Sequence, residues 1–309
     1  MSDLIIGGSG FIGRNLAVAL GEQGREVTVV DRVPDAKSTF TGRFIEGDAQ
    51  DASFLTDVFA DVSPTTVYHF AANSDISAGV VDASLDFGDT LMTSNAVRIA
   101  AARVPASEIV FASSSAIFGP IDGPISEEPT VIPEPVSWYG KAKLASEFIL
   151  ESLSLADSTL RMLFVRFPNV VGPLATHGVV FDFVRKLSAD PNHLQVLGDG
   201  NQTKPYVHVS DLLEGIEFFR RQRQPGITKI NIGPTELIDV KGIVAEVCSA
   251  LKVDPDVTYE ETPYGWPGDV PRYEFDTAKM TDAGFQVTAT SRDAVRRAAS
   301  DLAAEWSSR

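Results

Sequence analysis

Cysteine is nearly missing from this 309-residue chain and histidine is scarce, with one Cys and four His. A single thiol excludes an internal disulfide and fits a reducing compartment. Cys248 falls in an apolar helical pattern with Ile243, Val244, Val247 and Leu251, and reads as core rather than nucleophile. The histidines at 69, 177, 193 and 208 make no metal-ligand spacing, so no metal is expected. Positive charge is the next deficit: 26 basic against 42 acidic residues leave a net charge of -16. Such a surface repels phosphate backbones and no basic run relieves it, which argues against a nucleic-acid partner. Any bound nucleotide then needs a local site of its own. No apolar run reaches the about 18 residues that a membrane span requires. Leu4-Ile5-Ile6 begins a strand too early to leave room for a signal peptide. The expectation is a soluble, cytoplasmic protein with no membrane partner.

What is present is a large apolar fraction, 44 %, and a regular alternation in the first half. Short apolar runs predict buried strands at 3–6, 26–30, 43–46, 66–70, 108–112 and 160–167. Helical periodicity predicts helices near 11–22, 51–60, 84–103 and 138–155. Strand–helix alternation of this length implies an α/β, Rossmann-like doubly wound parallel sheet. From Pro168 onward Gly and Pro become frequent and the helices shorter, near 178–188, 210–222, 239–251 and 291–306. The expected organisation is a nucleotide-binding domain over 1–167 and a smaller, irregular α/β substrate lobe over 168–309. Segments of the second half are expected to return to the sheet. The stretch 263–272 is the most loop-like.

Ligands of such sheets bind beyond the carboxyl ends of the strands. There the first strand is followed by Gly7-Gly8-Ser9-Gly10-Phe11-Ile12-Gly13, which opens the first helix. Glycines at 7, 10 and 13 suit a tight turn, close approach of a pyrophosphate, and close helix–strand packing. The N–H groups at Phe11, Ile12 and Gly13 then supply partial positive charge without a basic residue. A plain strand–helix connection would use similar glycines. Asp31 narrows the choice: it ends the second strand, 18 residues after Gly13, where a carboxylate takes ribose hydroxyls and repels a 2′-phosphate. That favours NAD over NADP, with the neighbouring Arg32 as the counter-argument. Gly47-Asp48-Ala49 and His69-Phe70-Ala71-Ala72-Asn73 also close strands where an adenosine would lie, His69 reading as structural.

The fifth strand ends in Ser113-Ser114-Ser115-Ala116-Ile117-Phe118-Gly119, serines placed either to meet a substrate hydroxyl or to form a polar turn. The next helix opens with Ser137-Trp138-Tyr139-Gly140-Lys141-Ala142-Lys143. Residues four apart share a helix face, so Tyr139 and Lys143 stack one turn apart. A tyrosine has a pKa of about 10 and is a poor base at neutral pH. An adjacent ammonium favours the phenolate and is expected to lower that value.

In this order the segments resemble the extended short-chain dehydrogenase/reductase family, in particular its NAD-dependent nucleotide-sugar epimerases and dehydratases. The resemblance runs through nearly the whole chain and includes Arg166-Phe167-Pro168-Asn169-Val170-Val171-Gly172-Pro173 and Gly198–Asp211. It implies that Tyr139 is the acid/base, that Lys143 and a nicotinamide charge hold its pKa down, and that Lys143 also holds the nicotinamide ribose. Counting back four from Phe118, it implies that Ser114 is the catalytic hydroxyl. Asp48 and Ala49 would face adenine, Phe70, Ala71 and Ala72 the adenosine side, and Asn169 the sugar diphosphate. Lys204 stands where many members place a phosphate-binding arginine, and lacks its bidentate fork. Asp89 or Thr90 replaces a common asparagine near the cofactor. Trp266 occupies the place of a second phosphate-binding arginine, for which Arg272 either substitutes or is an ordinary surface residue. Tyr273 falls near a position that limits bulk beside C2 of the sugar.

Dehydratases of this family carry an acidic pair just after the catalytic hydroxyl, and decarboxylating relatives a glutamate. Here Ser115 and Ala116 stand there and can transfer no such protons. The expected activity is NAD-dependent epimerisation of a nucleotide sugar at C4, of the UDP-glucose/UDP-galactose type, through a transient 4-keto sugar. The alternatives are a deoxysugar-nucleotide 4-reductase, an epimerase at another carbon, or a non-catalytic NAD-binding protein. The resemblance also implies a homodimer formed through the helices at 84–103 and 138–155.

Overall fold

The structure, a computed structural model, describes residues 2–34, 39–128, 133–222, 224–265 and 269–307. Two compact units divide the chain, each assembled from separate stretches. One takes the chain up to Ile117, with Ser137–Arg166 and Glu217–Ile230. The other takes Phe118–Val136, Phe167–Ile216 and the residues from Asn231 on.

In chain order the first unit begins β1 (Ser2–Ile6), α1 (Phe11–Glu22), β2 (Glu26–Asp31), β3 (Arg43–Glu46), α2 (Ala52–Val62) and β4 (Thr66–His69). Then come α3 (Ile76–Val81), α4 (Ala83–Leu85), α5 (Thr93–Arg103) and β5 (Glu108–Ala112). After the short strand β6 (Pro124–Ile125) of the other unit follow α6 (Trp138–Ala156) and β7 (Arg161–Arg166). The sheet has seven strands in the order Gly226–Asn231, β7, β5, β4, β1, β2, β3. From β7 to β3 every pairing is parallel, for example Ile6 opposite Val30 on one side and His69 on the other. This is the doubly wound, Rossmann-like class implied by strand–helix alternation. Central strands are buried on both faces, which is why they read as unbroken apolar runs. The core joins Leu4, Ile6, Val30, Val67, Ile109, Phe111 and Phe164 of the strands to Leu55, Phe59, Val97 and Leu150 of the helices.

Strand order reverses between β1 and β4, and open sheets bind ligands at such a crevice. Gly7, just past β1, has φ +84°, and a Cβ there would lie 2.4 Å from the Ala71 amide nitrogen just past β4. Only glycine lets the two strand ends close up this way.

Two helices start where short polar side chains cap them. Asp51 accepts from the amides of Ser53 and Phe54 at α2, and Ser137 accepts from Gly140 N at α6. The single helix predicted over 84–103 is a correction. The short α4 gives way to a π-helical turn over Asp86–Met92, and α-helix resumes at Thr93. A widened turn loosens backbone carbonyls, and neighbouring hydroxyls take them up. Thr93 Oγ1 donates to Asp89 O (2.8 Å) and Thr90 O (3.0 Å), and Ser94 Oγ to Thr90 O (2.8 Å).

The second unit packs helices Val179–Ala189, Val240–Leu251 and Ser291–Ser307 over short strand pairs. Its core includes Phe183, Leu187, Tyr206, Ile243, Val247, Val295 and Leu302.

Candidate active site

At the turn after β1, Gly13 packs so tightly that a Cβ would meet Gly7 O at 2.3 Å, whereas at Gly10 it would meet only that oxygen, at 3.3 Å. The protein itself therefore demands little of Gly10, which leaves its face open to a ligand's backbone approach. No side chain caps α1 and no acidic residue lies in its first turn, so the helix end at Phe11, Ile12 and Gly13 suits an anion. Arg14 steadies the turn by donating to Ser9 O through Nε (3.1 Å) and a terminal nitrogen (2.6 Å).

Asp31 accepts from Ser9 N (2.9 Å) and from Arg32 N (2.8 Å). A carboxylate has about four acceptor positions, so capacity remains for ribose hydroxyls. Arg32 does not offer a free cation to a 2′-phosphate, because its guanidinium pairs with Asp89 at 3.1 Å. Gln50 Nε2 donates to Asp89 Oδ1, an oxygen it shares with Arg32, at 3.0 Å. Asp48 is exposed and accepts from Gln50 N (2.9 Å), Ala49 is buried, and Phe70 stands edge-on to Tyr68. The residues present thus fit NAD: an uncapped helix end for the pyrophosphate and a carboxylate for the ribose. An Asp31→Asn variant is expected to bind NAD about tenfold more weakly or worse, since hydrogen bonds to charged groups contribute roughly 1.5–3 kcal/mol. Its preference over NADP should narrow. Titration calorimetry with both cofactors reads both effects.

Ser114 lies just past β5, 8 % exposed, and its Oγ accepts from Ala116 N at 3.1 Å. Its side chain hydrogen-bonds Tyr139. Lys143 is buried (2 % exposed), with Nζ 5.8 Å from the Tyr139 ring centre. The ammonium donates to Ala112 O at 2.6 Å and lies over the Phe111 ring. Ser114, Tyr139 and Lys143 are therefore brought together within the first unit.

The expected lowering of the Tyr139 pKa does not occur within the chain alone. Although part of its side chain stays accessible, burial pushes its hydroxyl up to about 12; the Ser114 hydrogen bond pulls it down and the Asp86 charge pushes it up. Lys143 pays the same desolvation: burial brings it down to about 7, against the opposing pull of Glu147. Desolvation disfavours both charged forms. A positive charge brought by a bound cofactor would favour the phenolate.

Two groups behind the site are absent from the sequence reading. Glu147 (1 % exposed) takes a bidentate Arg166 at 3.0 and 2.7 Å and the Ser113 hydroxyl at 2.5 Å. So Ser113 braces α6 against β5 while Ser114 faces Tyr139. Glu147 is four residues beyond Lys143, a helical spacing that could have revealed it. The second group is Asp86, at the start of the π-helical turn. His69 is structural as expected: its Nε2 meets Ser94 Oγ at 2.8 Å, and burial holds it down to about 3, so the ring is neutral.

The residues expected to meet a diphosphate lie in the second unit. Asn169 Nδ2 reaches the Tyr273 hydroxyl at 3.5 Å. Lys204 is buried and ion-paired with Asp269. Arg272 is exposed and pairs with Glu274. Trp266 lies outside the described residues.

Residues 4–233 match the NAD dependent epimerase/dehydratase family. The chain is similar to the UDP-glucose 4-epimerase of Yersinia pestis, 27 % identical over 320 residues and covering 92 % of each chain. A crystal structure of a UDP-galactose 4-epimerase superposes with a TM-score of 0.87 at 31 % identity, over 99 % of both chains. The Thermus thermophilus UDP-glucose 4-epimerase in complex with NAD gives 0.85 at 28 % identity, over 98 % of this chain and 99 % of that one. The fold, the turn after β1 and the match over most of its length agree: this chain is an enzyme of the NAD dependent epimerase/dehydratase family, with NAD as its cofactor.

Proposed function

We propose that the protein interconverts nucleotide sugars epimeric at C4, of the UDP-glucose/UDP-galactose type. The observation that carries this is the pairing of Tyr139 with Ser114, beside positions 115 and 116 that hold serine and alanine. One acid/base and one hydroxyl suffice to oxidise and re-reduce a carbinol carbon. Eliminating water would need an additional proton donor and acceptor. The similarity to enzymes named UDP-glucose and UDP-galactose 4-epimerase supports the same substrate class.

Gly7, Gly10, Gly13 and Asp31 would hold the pyrophosphate and ribose of NAD, Asp48, Ala49, Phe70, Ala71 and Ala72 its adenosine end, and Lys143 its nicotinamide ribose. Bound NAD supplies an acceptor for the hydrogen leaving the sugar carbon and gives it back. Tyr139 takes the proton from the C4 hydroxyl as that oxygen becomes a ketone, and returns it when the carbon is reduced on the other face. Ser114 hydrogen-bonds the same oxygen and keeps it within reach of Tyr139. The Lys143 ammonium stabilises the phenolate. Asn169, Lys204 and Arg272 are proposed contacts of the diphosphate, which gives binding energy remote from the reacting carbon and leaves the sugar free to turn. For Lys204 this requires exchanging Asp269 for phosphate.

Exposed Phe87, Phe148 and Leu155 on the stretches read as dimer helices support a homodimer as part of the same proposal. Incubation with UDP-glucose, followed by NMR, should show UDP-galactose accumulating to an equilibrium mixture. Failure to convert any UDP-hexose would contradict the reading.

A further inference from the structure

Arg32 directly follows the carboxylate Asp31, a place from which an arginine accommodates a 2′-phosphate. Its amide donates to Asp31 Oδ1 at 2.8 Å, so its side chain starts beside the group suited to the ribose hydroxyls. That side chain is 56 % exposed, yet it is not left to solvent. Its two terminal nitrogens engage both oxygens of Asp89, Nη1 with Oδ1 and Nη2 with Oδ2, each at 3.1 Å. This parallel fork uses the same donors with which an arginine grips a phosphate.

Asp89 is itself held in place. Gln50 Nε2 donates to its Oδ1 at 3.0 Å, and Gln50 N donates to Asp48 Oδ1 at 2.9 Å. The Asp89 carbonyl accepts from Thr93 Oγ1 at 2.8 Å. Gly88 lets the Gln50 side chain lie close to the π-helical turn, since a Cβ there would stand 3.0 Å from Gln50 Oε1. Such turns recur at functional sites, and this one presents Asp89 to a residue 57 positions away. The weight of the pair lies in charge rather than strength, because exposed ion pairs are individually weak. Asp31, Asp48 and Asp89 set three carboxylates around the Arg32 guanidinium. Arg14, the other arginine of this turn, donates to Ser9 O instead. A phosphate monoester brings about −1.5 to −2 of further charge at neutral pH.

We propose that Asp89 is a specificity-determining residue for the cofactor: by occupying both arms of the Arg32 fork it denies a 2′-phosphate its cation and adds a repelling charge, so that NAD is held in preference to NADP. This rests on Asp31 marking the ribose, and it is independent of which sugar carbon reacts. Asp31 repels a 2′-phosphate by its own charge. Asp89 acts differently, by neutralising the neighbouring residue that would otherwise overcome that repulsion. Asp31 beside a released Arg32 would admit both cofactors.

The full chain, dialysed to equilibrium against equimolar NAD and NADP, reports the preference once the bound cofactor is released and quantified by chromatography. Asp89→Asn keeps the shape without the charge, and Asp89→Ala removes both oxygens. Each should raise bound NADP relative to NAD by about tenfold, the scale of a hydrogen bond to a charged group. On an Arg32→Gln background the same replacements should gain at most about threefold, since only a screened repulsion is then relieved. If only one Asp89 variant folds, that one decides. An unchanged ratio in a folded Asp89 variant, or a gain as large without Arg32 as with it, overturns the proposal. Asp31→Asn separates the two assignments: a parental ratio in that variant removes Asp31 from the ribose, while the comparison with and without Arg32 still decides the role of Asp89.

Discussion

Replacing Tyr139 with phenylalanine should lower turnover by about three orders of magnitude while leaving the fold and NAD binding intact. General acid–base groups contribute about 10²- to 10⁴-fold, and this reading gives Tyr139 both the acid and the base role. The variant removes one oxygen whose bond is to Ser114, itself held by Ala116 N. Among the described residues no backbone amide or buried charge is bonded to it, so a loss of stability is not expected. The parent should gain activity with rising pH on its acidic side, because burial and Asp86 hold Tyr139 above the ordinary tyrosine range. Residual turnover of the Phe variant should lack that limb. Steady-state kinetics across pH, with cofactor occupancy measured in parallel, check both statements. A Tyr139→Phe enzyme that keeps most of its turnover would remove Tyr139 from the reaction.

The second large effect is on stability. Arg166→Met should cost about 3–5 kcal/mol, the usual consequence of removing one partner of a buried ion pair. Glu147 and Arg166 have side-chain exposures of 1 % and 5 %, and a further cation, Lys229, is 3.8 Å from Glu147 and closer to Glu151. An unfolding midpoint lower by roughly 10 °C follows for a chain of this size. Replacing both partners, Arg166→Met with Glu147→Met, should recover most of that loss, since a well-packed apolar pair is often as stable as a buried salt bridge. Activity should not recover with it. Glu147 is the group that opposes the desolvation of Lys143, and without it the lysine loses its ammonium form more readily. Calorimetric unfolding beside turnover assays separates the two outcomes. A single variant as stable as the parent would contradict the account of this pair.

Much of the first unit was legible because its signals are local. Buried parallel strands announce themselves as apolar runs, and β5 and the strand over 43–46 fall on the predicted residues. Caps such as Asp51 and Ser137 mark helix starts through side chains that reach their own amides. The turn Gly7–Gly13, Asp31 and the spacing of Tyr139 to Lys143 lie within single elements or adjoining ones, so sequence distance approximates spatial distance. What stayed hidden depends on distant partners. The π-helical turn at Asp86–Met92 needs hydroxyls from Thr93 and Ser94 to take its carbonyls, which periodicity does not register. Asp269, 65 residues beyond Lys204, pairs with it, and no sequence spacing announces that partner. The proton affinity of Tyr139 is set by burial, a property of the packed site that the Tyr-x-x-x-Lys spacing does not contain.

The central claim is that Tyr139, Ser114 and Lys143 serve a reversible oxidation at one sugar carbon, with no other bond to the sugar broken. Supplying UDP-glucose deuterated at C4 and following the product by NMR tests it most directly. The account predicts UDP-galactose that still carries deuterium at C4, in the parent and not in Tyr139→Phe. UDP-galactose that has lost the label to solvent, or a dehydrated sugar in its place, would contradict it.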